Sequence, residues 1–472
     1  MKPVRLPAPA MPLLTPHDDY SLAHLIERHV AFYIEDENGE ERNVALNPAF
    51  VRHYMKFRES KLPIVTSIAT APLVLPDGML LKEDGLDRRR GILFWLQPEL
   101  VALIPKAEEC TPAAAAEAMR FLTDEWLCDV AADYPGKCIL IAIVASILER
   151  ALLPERPAFF VTAGQRGGGK TTTLQMLFIA ATGYRVPAAA WSPNEEERRK
   201  ALFSYLAEGV PAVVWDNIPR GTTISCPSIE KSLTAALYSD RVLGKTETRT
   251  VPATTICCFT GNNIAPRGDL ASRSLQVRLS VDRPDPENRE FKHPDPIAWT
   301  VAHRGNILRA IYTILLSNPR LREKEAAPAE TRFKAWWHLI GSAVEHAAGK
   351  HKKCEKVSFK DKFRVGEADD EQSGNLGWLL GMLKDKWKDG FGSKDVADYA
   401  SAQDDNATAF VKALEQASGK PILGTPSATV INWRLKAIID APVQSGDRIV
   451  ALRWQPDESG HGARFEVEEV KP

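Results

Sequence analysis

Three short apolar runs in the middle of the chain predict buried strands. They cover residues 159–161, 212–215 and 254–260. The runs are continuous rather than alternating, which is typical of buried strands. Residues 172–180 follow the first run with the apolar spacing of a helix. The pattern therefore predicts a core of buried strands and helices, as in an α/β fold.

The residues before this core are predicted to form three segments. Residues 1–20 are rich in proline, which predicts a flexible N-terminal segment. Residues 21–110 open with a helical pattern and continue with short strand candidates, so we expect an α+β accessory domain. Residues 111–153 carry apolar positions at helical spacing and predict a helical collar.

The second half of the chain completes the predicted organisation. Residues 154–348 hold the three strand candidates and end in helices that would form a lid. Residues 349–376 divide into a basic and an acidic part, which is typical of a linker. Residues 377–472 predict helices followed by two strands, as in a winged-helix domain with Arg434 and Lys436 on the recognition helix. A helical packing module without DNA contact fits the same pattern.

The composition argues against several classes of protein. The 472 residues carry a net charge of −1 with a pI near 6.8, so any nucleic-acid contact must come from local basic patches. Seven cysteines without C-x-x-C spacing argue against a disulfide framework and a zinc site. The longest apolar run, residues 138–148, is shorter than the roughly 20 residues that span a bilayer. We expect a cytoplasmic protein with no signal peptide and no membrane contact.

A glycine-rich motif, GQRGGGKT at residues 164–171, stands at the predicted strand-to-helix turn. Glycines allow the backbone to wrap around phosphates, and the amides at the start of the helix donate to them. Lys170 would reach the outer phosphates and Thr171 would ligate Mg²⁺. A flexible loop is the alternative. The motif predicts ATP and Mg²⁺ as ligands, because no Asn-Lys-x-Asp arrangement indicates guanine. The nucleotide-binding residues are Gly164, Gly167, Gly168, Gly169, Lys170, Thr171 and Thr172.

Polar side chains end the other two strand candidates. Asp216 follows the second run, where a carboxylate suits the magnesium ion beside Thr171. Asn262 and Asn263 follow the third run, where an amide can contact the terminal phosphate or the attacking water. Each motif alone also fits an ordinary turn. Together with the glycine-rich motif, they predict one nucleotide site at the strand ends.

The order of these motifs resembles the core of superfamily 3 helicases, a branch of the AAA+ ATPases. The residues that carry the resemblance are DRVLGKTE at 240–247, TGNN at 260–263 and GDLASR at 268–273. They are similar to the helicase regions of phage and plasmid primase-helicase proteins. The likeness extends from about residue 44 to the C-terminus, with strong core motifs and weak flanks. It implies an α/β fold with a P-loop AAA+ ATPase core, in which helices sandwich a parallel sheet.

The resemblance implies catalytic roles for Lys170, Asp216, Asn262 and Arg273. Asn263 is the alternative to Asn262 as the amide that contacts the terminal phosphate or the attacking water, a position called sensor 1. Arg273 would be an arginine finger that enters the ATP site of the neighbouring subunit, which implies a homo-oligomer, a hexameric ring. Arg267 and Arg278 are alternative fingers, and Arg273 could instead be a surface arginine or a phosphate-binding arginine of its own subunit.

The segment 239–250 suits a hairpin that grips single-stranded DNA inside such a ring. Arg241, Lys245 and Arg249 flank Gly244 and would contact backbone phosphates. A solvated charged hairpin is the alternative.

One position departs from the pattern of the resembled enzymes. Many of them place a glutamate after the metal-binding aspartate to polarise water, and this chain has Asn217. A carboxylate from Glu195, Glu196 or Glu197 is one possible replacement. Acidic residues in the first turn of a helix are equally explained by the helix dipole.

The sequence thus predicts an ATP-dependent DNA helicase or translocase of a phage, plasmid or integrated mobile element. It would act on single-stranded or forked DNA, with a primase or polymerase supplied separately because no primase-type metal cluster is visible. An ATP-gated DNA-binding initiator or defence protein with little unwinding is the alternative. A small-molecule kinase would leave most of the chain unexplained.

Overall fold

The computed structural model describes most of the chain. The described residues are 3–4, 6, 18–56, 65–164, 167–185, 188–242, 247–280, 290–322, 331–352, 355–368, 371–402, 404–418, 421–422, 424–439, 443–445, 448–456 and 463–469.

The residues before the central sheet form helices and short strands. In chain order these are α1 (Asp19–Glu27), β1 (Phe32–Glu35), β2 (Glu41–Val44), α2 (Pro48–Lys56), β3 (Ser67–Ala69), β4 (Leu73–Val74), β5 (Leu80–Leu81), β6 (Gly85–Asp87), β7 (Ile92–Phe94), α3 (Pro98–Leu103), α4 (Pro112–Arg120) and α5 (Tyr134–Glu149). Strands β1 and β2 form an antiparallel pair, β4 pairs with β5, and β7 lies between β3 and β6.

The central elements alternate between strands and helices. They are β8 (Ala158–Ala163), α6 (Lys170–Thr182), β9 (Ala188–Ala190), α7 (Glu195–Glu208), β10 (Ala212–Ile218), β11 (Thr223–Ile224), α8 (Pro227–Leu233), β12 (Leu237–Arg241), β13 (Thr248–Pro252), β14 (Ile256–Asn262), β15 (Ala265–Pro266) and β16 (Ser274–Leu279). Among the described residues, five of these strands form one parallel sheet in the order β16-β8-β14-β10-β9.

Helices cover both faces of this sheet. Phe159 and Val161 of β8 pack in an apolar cluster with α5, α6, α10 and α12, whereas Phe160 packs on the other face with α7 and α8. All six residues of β8 are buried, which explains why the run is continuously apolar. The predicted mixed α/β core with a parallel sheet between helices is therefore confirmed.

The remaining elements follow the sheet. They are α9 (Pro296–Ala302), α10 (Arg304–Leu316), α11 (Lys334–Trp336), α12 (Ser342–His351), α13 (Phe359–Ala368), α14 (Glu371–Lys386), β17 (Phe391–Gly392), α15 (Ser393–Ala400), α16 (Asp405–Ser418), α17 (Ala428–Lys436), β18 (Val443–Ser445), β19 (Arg448–Pro456) and β20 (Ala463–Glu469). Helices α14 to α17 and the antiparallel strands in the order β17-β20-β19-β18 share an apolar cluster of their own.

Arg434 and Lys436 both have partners inside this C-terminal unit. Arg434 donates from Nη2 to the Pro421 carbonyl at 2.6 Å. The Lys436 ammonium lies 4.9 Å from the ring centre of Trp454. The winged-helix assignment stays a prediction, and these contacts are equally compatible with a packing module.

Described residues of the predicted N-terminal segment and of the predicted linker contact other parts of the chain. From the segment 1–20, the Val4 amide donates to Asn306 Oδ1 at 2.8 Å, and the Val4 carbonyl accepts from Gly305 at 3.0 Å. From the segment 349–376, Phe359 and Phe363 of α13 are buried beside Trp336. Phe359 and Phe363 have the i, i+4 spacing of one helix face. The many charged residues around them in the sequence make this apolar pair hard to recognise.

None of the helices in the described parts of the chain combines the length and apolarity that crossing a bilayer requires.

Candidate functional site

The glycine-rich turn connects β8 to α6 at the carboxyl edge of the sheet. Gly167 and Gly169 have φ values of +74° and +79°, in the left-handed region that glycine adopts without strain. Gly169 caps α6, which begins at Lys170, and its carbonyl accepts the amide of Thr173 at 2.8 Å. The free amides of the first turn therefore face the space beyond the strand ends, where a phosphate is favoured.

The strand order brings Asn262 next to this turn. Strand β14 lies between β8 and β10, and Asn262 is in register with Ala163, the last residue of β8. Lys170 Nζ donates to Asn262 Oδ1 at 2.7 Å. Partial burial lowers the pKa of Lys170, and the nearby Asp216 carboxylate opposes that shift. The structure thus places Lys170, Asn262 and Asp216 together at one edge.

The residues available for Mg²⁺ are an exposed hydroxyl and a carboxylate. Thr171 is exposed in the first turn of α6, and Asp216 stands near the end of β10. Oxygen donors of these two kinds suit magnesium, so the residues fit the ion. The described residues contain no group of three or more His, Cys, Asp or Glu side chains that could hold a metal alone.

Backbone geometry gives a local reason for Asn217. The pairing of β10 with β14 shifts between Trp215 and Ile218, and Asn217 has a φ of +61°. Its amide donates to Asp216 Oδ1 at 2.6 Å. Asparagine tolerates the left-handed region better than glutamate does. The turn that positions Asp216 therefore disfavours the glutamate that the resembled enzymes carry here.

Asn263 and two arginines lie around Gly164. Asn263 also has a positive φ, +50°, and its amide donates to the Ala163 carbonyl at 3.0 Å. A Cβ on Gly164 would lie 3.9 Å from both Asn263 Oδ1 and Arg278 Nη2. Arg220 Nη2 lies 3.4 Å from the Gly164 carbonyl, which accepts its hydrogen bond. Arg220 was not among the predicted site residues, although it lies only four positions after Asp216 in the chain.

Arg273 lies at the opposite edge of the sheet from the glycine-rich turn. It immediately precedes β16, whose first residue pairs with Ala158 at the start of β8. A six-residue strand is roughly 15–20 Å long, so Arg273 is well separated from the turn of its own subunit. Its guanidinium donates to the Glu230 carbonyl at 2.6 Å and pairs with Asp269. Arg278, in contrast, is at the carboxyl edge beside its own Gly164.

The predicted DNA-binding segment contains an antiparallel hairpin. Strands β12 and β13 pair from Leu237 opposite Pro252 to Arg241 opposite Thr248. Arg241 and Arg249 are exposed on it. Lys245 is outside the described residues, and its role stays a prediction.

The three glutamates at the start of α7 have partners of their own. Glu195 accepts hydrogen bonds from Ser228 at 2.8 Å and from Arg198 at 2.7 Å. Burial raises the pKa of Glu195, but these hydrogen bonds and that from Cys226 outweigh burial, and the net shift is downward. Glu196 and Glu197 pair with Lys200. These contacts favour a structural role for the three glutamates over the role of a catalytic base.

Among known proteins, similarity to this chain is found in solved structures. No protein-family model matches the chain, and no curated protein matches it. Its fold is similar to two solved apo structures of the NrS-1 C-terminal region. The first has a TM-score of 0.38 at 12% identity, covering 92% of this chain and 93% of that chain. The second has a TM-score of 0.37 at 11% identity, covering 96% and 100%.

A third solved structure is titled as the active helicase Cch of SCCmec type IV. It has a TM-score of 0.34 at 13% identity, and the match covers 79% of this chain and 76% of that chain.

A substitution at Gly261 tests whether the close packing of β14 against β10 requires a glycine at that position. A Cβ at Gly261 would lie 2.7 Å from Ile264 Cγ2 and 3.1 Å from the Ile218 carbonyl. We expect Gly261→Ala to lower the free energy of unfolding by about 1–3 kcal/mol in urea titrations, because overpacking forces the backbone apart next to Asn262. The matched control is Gly349→Ala in α12, where no atom lies within 4 Å. It should be neutral or stabilising by up to about 1 kcal/mol. Equal stability of the two variants would refute the close approach.

Proposed function

We propose that this chain is an ATP-dependent DNA helicase or translocase of the superfamily 3-like AAA+ type. It works as a six-subunit ring on single-stranded or forked DNA during replication of a phage, plasmid or integrated mobile element. The observation that carries the proposal is the hydrogen bond from Lys170 to Asn262, formed beside Asp216 at the end of a glycine-rich turn. The proposal rests on this site and not on the similar solved structures.

Within one subunit, different residues bind the phosphates, the magnesium ion and the attacking water. The α6 amides and Lys170 hold the phosphates, and Asn262 or Asn263 orients the water that attacks the terminal phosphate. Thr171 and Asp216 hold Mg²⁺, which when bound neutralises charge on the phosphate oxygens. Phosphate binding would draw Lys170 away from Asn262. The Asn262 amide would then be free to form a hydrogen bond with the attacking water or the terminal phosphate.

The neighbouring subunit supplies the arginine. Arg273 is too far from its own glycine-rich turn to contact a nucleotide bound there, so a role in hydrolysis requires a second subunit. An arginine in that position would stabilise the charge that develops as the terminal phosphate is transferred. Arg278 and Arg220 lie near Gly164 and would act within their own subunit.

Helix α8 provides a route from the subunit interface to the DNA hairpin. Arg273 donates to the Glu230 carbonyl within α8. Arg156, which is 1% exposed and stands two residues before β8, donates to the carbonyls of Ser232 at 3.0 Å and Ala235 at 2.7 Å. The hairpin begins two residues later, at Leu237. A shift of Arg273 towards a nucleotide would therefore move the base of the hairpin, and Arg241, Lys245 and Arg249 would carry DNA phosphates with it.

An ATP-gated DNA-binding initiator or defence protein is the second candidate. The positive φ of Asn217 favours it, because this backbone disfavours a glutamate that would polarise water. In that case ATP would drive assembly on DNA, and hydrolysis would be slow.

The function is tested by the rate of ATP hydrolysis with and without single-stranded DNA. We expect DNA to stimulate hydrolysis in the wild type, and Lys170→Ala to lower the rate by about 100-fold or more, because a charge-stabilising group is lost. Lys82→Ala removes an exposed lysine of the N-terminal region and serves as the matched control, with an unchanged rate. ATP-dependent DNA binding without stimulated hydrolysis would favour the second candidate.

The role of Arg273 is tested by mixing two inactive variants. Lys170→Ala lacks a working phosphate site and Arg273→Ala lacks the proposed finger. In a random equimolar ring, about a quarter of the interfaces join an intact Lys170 to an intact Arg273 of the next subunit. We expect the mixture to hydrolyse ATP faster than the sum of the separate variants. If Arg273 acts only by holding Glu230 and Asp269 in its own subunit, mixing restores nothing.

A further inference from the structure

A second cavity lies at the amino edge of the central sheet. Its volume is about 340 Å³, and it is bounded by β3, the end of α7 and the base of the β12–β13 hairpin. Pro211 and Thr254, which line it, come just before β10 and β14. The parallel strands place this cavity roughly 15–20 Å from the glycine-rich turn. It is therefore separate from the proposed ATP site.

Arg150 places a buried positive charge on the wall of this cavity. The residue is 8% exposed, and Nη2 donates to the Ile68 carbonyl at 2.9 Å. Its Nε has no hydrogen-bond partner within the described parts of the chain. Burial lowers the pKa of Arg150, and the nearby Tyr184 opposes the shift; no described carboxylate contributes to it. A buried charge without a counter-ion is costly, so this wall of the cavity favours an anionic group.

Other polar groups of the lining can bind the same anion. Ser67 is 8% exposed, and its Oγ also lacks a partner among the described residues. Arg249 and Thr250 reach the cavity from the hairpin, and Thr254 from the strand edge. The described lining contains two arginines and no aspartate or glutamate. Guanidinium and hydroxyl donors in this combination suit a phosphate group.

The remaining lining is apolar. Ile68, Leu206, Val251 and Pro252 form walls without charge, and Tyr184 adds an aromatic ring. Cavities of about 300 Å³ and above hold small ligands, with an apolar body against apolar walls and a few polar groups fixing the orientation. A ligand with one phosphate and one flat apolar part fits both halves of this cavity.

We propose that this cavity binds a nucleoside monophosphate unit, with Arg150, Arg249 and Ser67 around the phosphate and the apolar wall against the base. The unit is either a free nucleotide or one nucleotide of a DNA strand held by the hairpin. The inference does not depend on ATP hydrolysis, because it concerns the opposite edge of the sheet.

The test is calorimetric binding of thymidine 5′-monophosphate and of an oligothymidylate to the Lys170→Ala protein, which removes binding at the glycine-rich turn. In that background Arg150→Met keeps the apolar stem and removes the charge. We expect it to weaken binding of at least one probe by about tenfold or more, because hydrogen bonds to a charged group are lost. Loss for the monophosphate identifies a free-nucleotide site, and loss for the oligonucleotide alone identifies a DNA contact.

A second variant separates binding from folding. Leu237 is 59% exposed and lines the cavity, and Leu237→Trp adds bulk at that position while leaving Arg150 in place as a residue. Leu25→Trp in α1, at a leucine that is 38% exposed, is the matched control and should bind as its parent does. The proposal requires weaker binding in Arg150→Met or, if that variant does not fold, in Leu237→Trp. It is overturned if the folded variants bind both probes as tightly as the parent protein.

Discussion

The insertion of β14 between β8 and β10 is the constraint on which the candidate site depends. Parallel pairing on both sides brings three strand ends to one edge, and Asn262 reaches Lys170 at 2.7 Å as a result. Without the pairing of β14 with β8, which sets Asn262 opposite Ala163, this contact would not form. The close fit at Gly261, where even a methyl group would meet Ile264 and Ile218, keeps that arrangement in place.

The two edges of the same sheet carry different chemistry. The carboxyl edge holds the groups suited to phosphate and magnesium, and the amino edge holds Arg273, the base of the hairpin and the Arg150 cavity. At the amino edge, the buried Arg156 joins the start of β8 to the end of α8. In the proposed ring, this contact would link a change at a subunit interface to the hairpin.

Patterns among neighbouring residues predicted the strands and turns, because these depend on interactions that are local in the sequence. Continuous apolar runs gave the strands β8, β10 and β14, and the glycines gave the turn before α6. The order of strands in the sheet was beyond such reasoning, because it depends on contacts between residues about 50–100 positions apart in the chain. The aromatic residues of α13 were concealed by its charges, and the buried charge of Arg150 becomes visible only when β3 and the hairpin enclose it. Arg220 was not predicted because its place in the site depends on its hydrogen bond to the Gly164 carbonyl, which only the folded chain shows.

Displacement of a strand from a forked duplex requires the nucleotide site, the ring and the DNA contact together. We expect the wild type to separate the duplex with ATP, and neither a non-hydrolysable ATP analogue nor the Lys170→Ala protein to support separation. Separation that proceeds equally well with the analogue, or wild-type binding to the fork without any ATP-dependent separation, would contradict this expectation.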